Sequence, residues 1–135
     1  FSGATGDLDG ALEWVEKAEG DFSTAQREMR ARNAPNYDAV CFHSQQCAEK
    51  YLKAILQEND QAIPKIHSLA DLVAVCIKIN PSFALLEADL MVMEEYAVQF
   101  RYPGQSAVRR EAKSAFKAVG VVRQFIRSFL GLKML

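Results

Sequence analysis

Apolar residues recur at alternating spacings of three and four through most of the chain, and nowhere do they alternate with period two. On an α-helix that spacing gathers side chains along one seam, whereas a half-buried strand needs strict alternation. The pattern therefore predicts an all-α fold with no sheet. Four segments carry it. The first runs Leu8, Ala11, Val15, Ala18, Phe22, Ala25, Met29, and the second Val40, Ser44, Cys47, Tyr51, Ala54, thickened by Cys41, Ala48, Leu52 and Ile55. The third is Phe83, Leu86, Leu90, Met93, Ala97, Phe100, and the fourth Val108, Ala112, Ala115, Val119, Val122, Ile126, Phe129.

Helix breakers fall between these segments. Proline lacks an amide donor and steers the residue before it out of helical geometry. Ala34-Pro35-Asn36 separates the first pair, Ile63-Pro64 closes the linker after the second segment, and Ser68 is placed to cap a short helix bearing Leu69, Leu72, Val73, Cys76 and Ile77. Asn80-Pro81 reads as an N-cap with proline in the first turn. Tyr102-Pro103-Gly104-Gln105 fits a type II turn, and Ser106 is placed to cap the last helix. Short links make neighbouring helices antiparallel. The expected architecture is an antiparallel up-and-down four-helix bundle with one additional short helix, spanning residues 9–132 behind a flexible N-terminus at 1–8 that is rich in Gly, Ser, Thr and Asp.

With 135 residues, 50% hydrophobic and 24% charged, one core suffices to offset chain entropy, which argues against both disorder and a disulfide scaffold. No apolar run approaches the roughly 18 residues of a membrane span, and the N-terminus lacks a signal-peptide core, so a cytoplasmic protein with no membrane partner is expected. Cys41, Cys47 and Cys76 lack the spacing of a zinc site and read as reduced core thiols. No metal and no cofactor is expected. Gly-rich phosphate loops, HExxH, GxSxG and closely paired carboxylates are all missing from the sequence.

The net charge of −1 conceals a division: residues 1–100 carry −8 and residues 101–135 carry +7. Arg109, Arg110, Lys113, Lys117, Arg123 and Arg127 fall on one arc of the last helix, opposite its seam. Solvation, an acidic helix or nucleic-acid phosphates would each satisfy them. The segment Phe83–Phe100 is apolar around most of its circumference, with Leu85, Val92 and Tyr96 on one flank and Met91 and Val98 on the other. A small bundle has no second layer to cover such a helix. Phe42 likewise projects away from its own seam. A homodimer burying Phe42, Leu85, Val92 and Tyr96 is expected.

Candidate ligand contacts follow from chemistry. His43, Gln46, Lys50 and Lys53 form a row of donors beside the core stripe of the second segment, suited to a phosphate or base and equally to a solvated face. Arg101 with Tyr102 can grip phosphate and stack on a base, or form a buried pair with Glu94 or Glu95. With only two histidines in the chain, an imidazole acid or base must be His43 or His67.

The strings Ala18-Glu19-Gly20-Asp21-Phe22, Pro35 through Ala54 (PNYDAVCFHSQQCAEKYLKA), His67-Ser68-Leu69 and Tyr96-Ala97-Val98-Gln99-Phe100-Arg101-Tyr102-Pro103 together resemble the HEPN domain, over about residues 9–130. The resemblance implies a compact, usually dimeric helical bundle. Many members are ribonucleases whose active site joins an arginine to a histidine four to six residues on. Here Tyr-Pro-Gly-Gln-Ser-Ala-Val follows Arg101 and no histidine lies beyond His67. That incomplete motif removes an acid/base worth about 10² to 10⁴ in rate, so no catalytic residue is assigned. The resemblance instead points to the small members linked to minimal nucleotidyltransferases, as partner subunits or halves of toxin–antitoxin pairs, and suspected of binding nucleotides. The expectation is a binding module with nucleotide contacts His43, Gln46, Lys50, Arg101 and Tyr102. A ribonuclease acting on RNA through His43 or His67 and a purely structural dimerisation module are the alternatives.

Overall fold

The computed structural model describes residues 6–65 and 67–134, so residues 1–5 of the expected flexible segment lie outside the described part. Five α-helices follow one another: α1 (Leu8–Arg30), α2 (Tyr37–Glu58), α3 (Leu69–Ile79), α4 (Glu87–Gln99) and α5 (Arg109–Phe129). A 3₁₀ segment, Pro81–Leu86, leads into α4, and no strand occurs among the described residues. The protein is all-α.

Local chemistry explains most of the ends. Asp7 opens α1 by accepting the Gly10 amide at 2.9 Å, and its other oxygen takes Gln57 Nε2 at 2.6 Å, tying the start of α1 to the end of α2. A Cβ at Gly10 would stand 2.4 Å from that second oxygen, so a larger residue there would push the Asp7 carboxylate aside. Ser68 caps α3 through the Asp71 amide, as the sequence indicates, and Asn36, at the breaker before α2, caps that helix through the Ala39 amide. Asn80 accepts the Ser82 amide, but the helix that follows begins as 3₁₀ rather than α. In 3₁₀ geometry residues three apart eclipse, which points both Phe83 and Leu86 into the core, where they are buried. Gly104 has φ +98°, the positive value that a type II turn demands of its second central residue.

The start of α5 departs from expectation. Ser106 does not cap it; Asp38 Oδ1 captures the Ala107 amide at 2.6 Å, pins Ala107 into the core, and delays the helix. Val108 is the N-cap residue, and its amide donates to Glu111 Oε1 at 3.0 Å.

The helices run up, down, up and down in the order α1, α2, α4, α5, with α3 beside α2 and α4. Helix α2 packs against all four other helices, which is why it buries the most side chains, and α5 touches α1, α2 and α4. Tyr51, Leu52, Ile55 and Leu56 of α2 meet Leu69 and Leu72 of α3, Leu90 and Met93 of α4, and Ile126 of α5 in one core. Leu8, Val108 and Phe129, at the ends of their seams, are exposed instead, because helix ends project past their neighbours. All three cysteines are buried and unpaired. Burial pushes the Cys41 and Cys76 thiols up to about 12, which makes them inert core residues. No helix is long and apolar enough to cross a membrane.

Candidate functional site

Three carboxylates beside the core each hold two bases. On α1, Asp21 takes His43 Nδ1 at 2.7 Å with one oxygen and Lys50 Nζ with the other. Glu19 receives a bidentate fork from Arg123 at 2.7 and 2.8 Å, a hydrogen bond from the Tyr51 hydroxyl, and the nearby charge of Arg127. Burial by itself would raise the pKa of Glu19, but these hydrogen bonds and charges outweigh it and hold the carboxyl below its ordinary value. On α2, the buried Glu49 takes Lys53 Nζ and His67 Nδ1, each at 3.0 Å.

These pairings bear on two readings that the sequence left open. The donor row of α2 is neither a bare ligand site nor a solvated face: Asp21 occupies His43 and Lys50, Glu49 occupies Lys53, and Gln46 donates to Gln45 Oε1 at 2.8 Å. The six cations of α5 do not share one solvated arc either. Arg123 turns inward to Glu19, and Arg127 is buried, donating to the Lys133 carbonyl at 2.7 Å and to the Tyr51 hydroxyl at 3.2 Å. Long side chains near a seam edge reach back toward a buried acid that a helical projection of one segment cannot display.

Arg101 behaves differently. It is exposed and joins no carboxylate among the described residues. Glu94, a candidate partner, accepts the Leu69 amide at 2.7 Å and so caps α3. Arg101 lies where two clefts meet. The first, of about 430 Å³, runs between the start of α2 and the end of α4, with His43 opposite Arg101 and with Phe42, Tyr96 and Phe100 among its walls. The second, of about 590 Å³, is lined by Gln46, Glu49, His67, Val98 and Arg101 among others.

The structure thus brings together His43 and Arg101 in one cleft and Gln46 and Arg101 in the other. Lys50 and Tyr102 line neither. Tyr102 is 66% exposed just past Arg101. Of the expected dimer contacts, Phe42 (46%) and Leu85 (75%) are exposed, while Val92 and Tyr96 are half-buried, Tyr96 lying against Phe100. Met91 and Val98, on the other flank, are exposed. Among the described residues no group of three or more His, Cys, Asp or Glu side chains is placed to hold a metal ion.

Sequence reasoning missed Glu19 and Tyr51 as partners of α5, and Asp21 as the acid behind His43. The signal was present: acids at positions 19 and 21 flank the seam residue Ala18, where a purely solvated helix face would not need them.

A HEPN domain model matches residues 11–129. Two solved structures share the fold. TT1696 from Thermus thermophilus is 23% identical, superposes with a TM-score of 0.69, and the match covers 87% of this chain and 96% of that one. ST0689, described as an archaeal HEPN homologue, is 23% identical with a TM-score of 0.65, over 89% of this chain and 97% of that one. No curated protein matches the chain.

Proposed function

We propose, from the premise that this chain belongs to the HEPN domain family, that it is a homodimeric binding module whose Arg101 cleft takes a nucleotide. One observation carries this reading. Arg101 is an exposed guanidinium without an ion-pair partner among the described residues, and it faces His43 across an aromatic-walled cleft of about 430 Å³. Ligand sites are typically about 300 to 1,000 Å³ with a few polar groups on mostly apolar walls. Arginine supplies a planar fork for phosphate, while Phe42, Tyr96 and the neighbouring Tyr102 offer faces for a base. Asp21 fixes His43 through Nδ1, leaving Nε2 for a ligand. The lysine of that cluster, Lys50, acts through Asp21.

Exposed apolar side chains support the homodimer: Phe42 and Val98, which help wall the two clefts, Met91 on the flank of Val98, and Leu85 on the opposite flank of the same apolar segment. It works in the cytoplasm, where its three unpaired cysteines stay reduced. The family resemblance adds a minimal nucleotidyltransferase as protein partner, in a toxin–antitoxin arrangement; Arg101 and Tyr102 stand clear of the bundle where such a partner can reach them.

The test is a thermal-shift and calorimetric screen of the purified protein against ribonucleotides, with and without Mg²⁺. A ligand at 100 times its Kd adds about 2.7 kcal/mol of stability, and Arg101→Ala is expected to abolish that gain. No stabilisation across the panel overturns the nucleotide reading. One observation favours a second reading, a ribonuclease: His43, oriented by Asp21, shares the cleft with Arg101. It requires RNA cleavage that both His43→Ala and Arg101→Ala eliminate.

A further inference from the structure

We infer that the outward groove between α1 and α5 is a docking surface for the phosphate backbone of a nucleic acid, separate from the Arg101 cleft. Six cations define it: Arg27, Arg30, Arg109, Arg110, Lys113 and Lys117 are all exposed, and none is in an ion pair among the described residues. The only side-chain hydrogen bond in the set runs from Arg27 Nη2 to Thr24 Oγ1 at 3.3 Å. Two acids lie in the same stretches, and both point elsewhere. Glu28 Oε1 accepts the Asn36 amide at 2.8 Å, and Glu111 Oε1 accepts the Val108 amide at 3.0 Å.

Helix geometry puts the cations on one face. Helices α1 and α5 run antiparallel and touch through the stacked rings of Phe22 and Phe116, 5.2 Å apart. At about 100° per residue, Arg30 and Arg27 sit about 80° and 140° around α1 from that contact, and Lys113, Lys117 and Arg110 about 60°, 100° and 120° around α5. In an antiparallel pair, equal rotations away from the contact carry side chains to the same side. Five cations therefore share one face, with Arg109 at its edge close to the α1 contact. Helices α2 and α4, which form the Arg101 cleft, lie across the bundle from this groove.

A concentration of positive charge without counter-charge repels itself and attracts polyanions. The composition of the face selects among them. Adsorption to a bilayer needs a row of apolar side chains to bury beside the cations, but the residues interspersed here are Ser23, Gln26 and Ser114, with a single exposed valine, Val121, one turn beyond Lys117. A stable protein interface needs an open apolar or aromatic centre, and the rings between these cations, Phe22 and Phe116, are half-buried and already stacked on each other. Four of the six cations are arginines, whose forks grip phosphate oxygens in pairs, and Ser23 and Gln26 add neutral donors. Sequence-independent contact with a nucleic-acid backbone fits all of these features.

The experiment is fluorescence anisotropy of labelled single-stranded RNA, single-stranded DNA and duplex DNA titrated with the full chain. Salt is varied from about 50 to 200 mM, where log K falls by about 0.7 to 0.9 per phosphate neutralised for each tenfold rise in salt. Binding to several unrelated sequences is expected. The triple variant R110Q/K113Q/K117Q should bind at least about tenfold more weakly at low salt and show a salt slope shallower by about 2 to 3. Its three positions are exposed, so wild-type melting should be retained, and circular dichroism checks this. The triple variant should keep the nucleotide stabilisation of the wild type, which separates this surface from the Arg101 cleft. The inference is overturned by no binding at low salt, by an unchanged slope in the triple variant, or by a preference for polyglutamate or phosphatidylserine vesicles over nucleic acid.

Discussion

Replacing Glu19 with Gln tests how much the polar cluster between α1, α2 and α5 contributes to the fold. The carboxylate accepts both arms of Arg123 and the Tyr51 hydroxyl, and Arg127 lies 3.9 Å away. Its side chain is 24% exposed, against 13% for Arg123 and 8% for Arg127. Glutamine keeps the shape and one acceptor but leaves two poorly solvated guanidinium groups without their counter-charge. Breaking a buried pair costs about 3 to 5 kcal/mol, and the remaining solvent access puts Glu19→Gln near the lower end, at about 3 kcal/mol. At about 4 °C per kcal/mol for a chain of this size, Tm should fall by about 12 °C. Urea unfolding followed by circular dichroism measures the difference directly. A carboxyl held below its unfolded pKa stabilises the fold fully above that unfolded value and loses the contribution as pH falls through the folded one. The ordinary value is 4.5, so the gap between wild type and variant should be constant from neutral pH to about 5.5 and narrow below 4.5. A gap under about 1 kcal/mol at pH 7, or one that does not narrow in acid, refutes the reasoning. The double replacement E19L/R123M should recover part of the loss, because apolar residues in place of both charges leave fewer stranded groups.

Two further outcomes are expected. Ser44 is fully buried and its hydroxyl has no hydrogen-bond partner among the described residues, so Ser44→Ala should raise stability by up to about 1 kcal/mol in the same urea assay, where most core substitutions lower it. Sedimentation velocity should show a dimer that Leu85→Glu together with Val98→Glu converts to monomer; both side chains are more than half exposed, so the fold should survive the change.

Much of the architecture was legible because helical periodicity and caps are local. The seam of α2 needs only the spacing of Val40, Cys47, Tyr51 and Ala54 to be read, and Ser68 and Asn80 announce helix starts from within their own turns. Ser106 failed because the decisive group, Asp38, lies 69 residues away. The same limit governs the site. Arg101 and His43 were singled out on chemistry, but whether either was engaged depended on α1 and α3. Asp21 holds His43, while Glu94 turns to Leu69 and leaves Arg101 open. The apolar circumference of α4 was read correctly as a surplus, since Met91 and Val98 remain exposed, yet half of Tyr96 found cover in its own chain beside Phe100.

The pairing of acids with bases also explains how the first helix, whose fully buried side chains are small, is held in register. The buried face of α1 is Ala11, Val15, Ala18 and Ala25, three of them the smallest side chain that can line a seam, so methyl-sized knobs discriminate weakly between one helical position and the next. Glu19 and Asp21 lie on either side of that face near the middle of the helix, and each reaches groups on other helices: Tyr51 and Arg123 for Glu19, His43 and Lys50 for Asp21. Sliding α1 by one turn would move both carboxylates about 5.4 Å and strand five charged or polar partners at once. The charges on the arc of α5 therefore divide by task. Arg123 and Arg127, opposite the acids, fix the register of α1, and Arg109, Arg110, Lys113 and Lys117, opposite no acid, leave the surface its positive face.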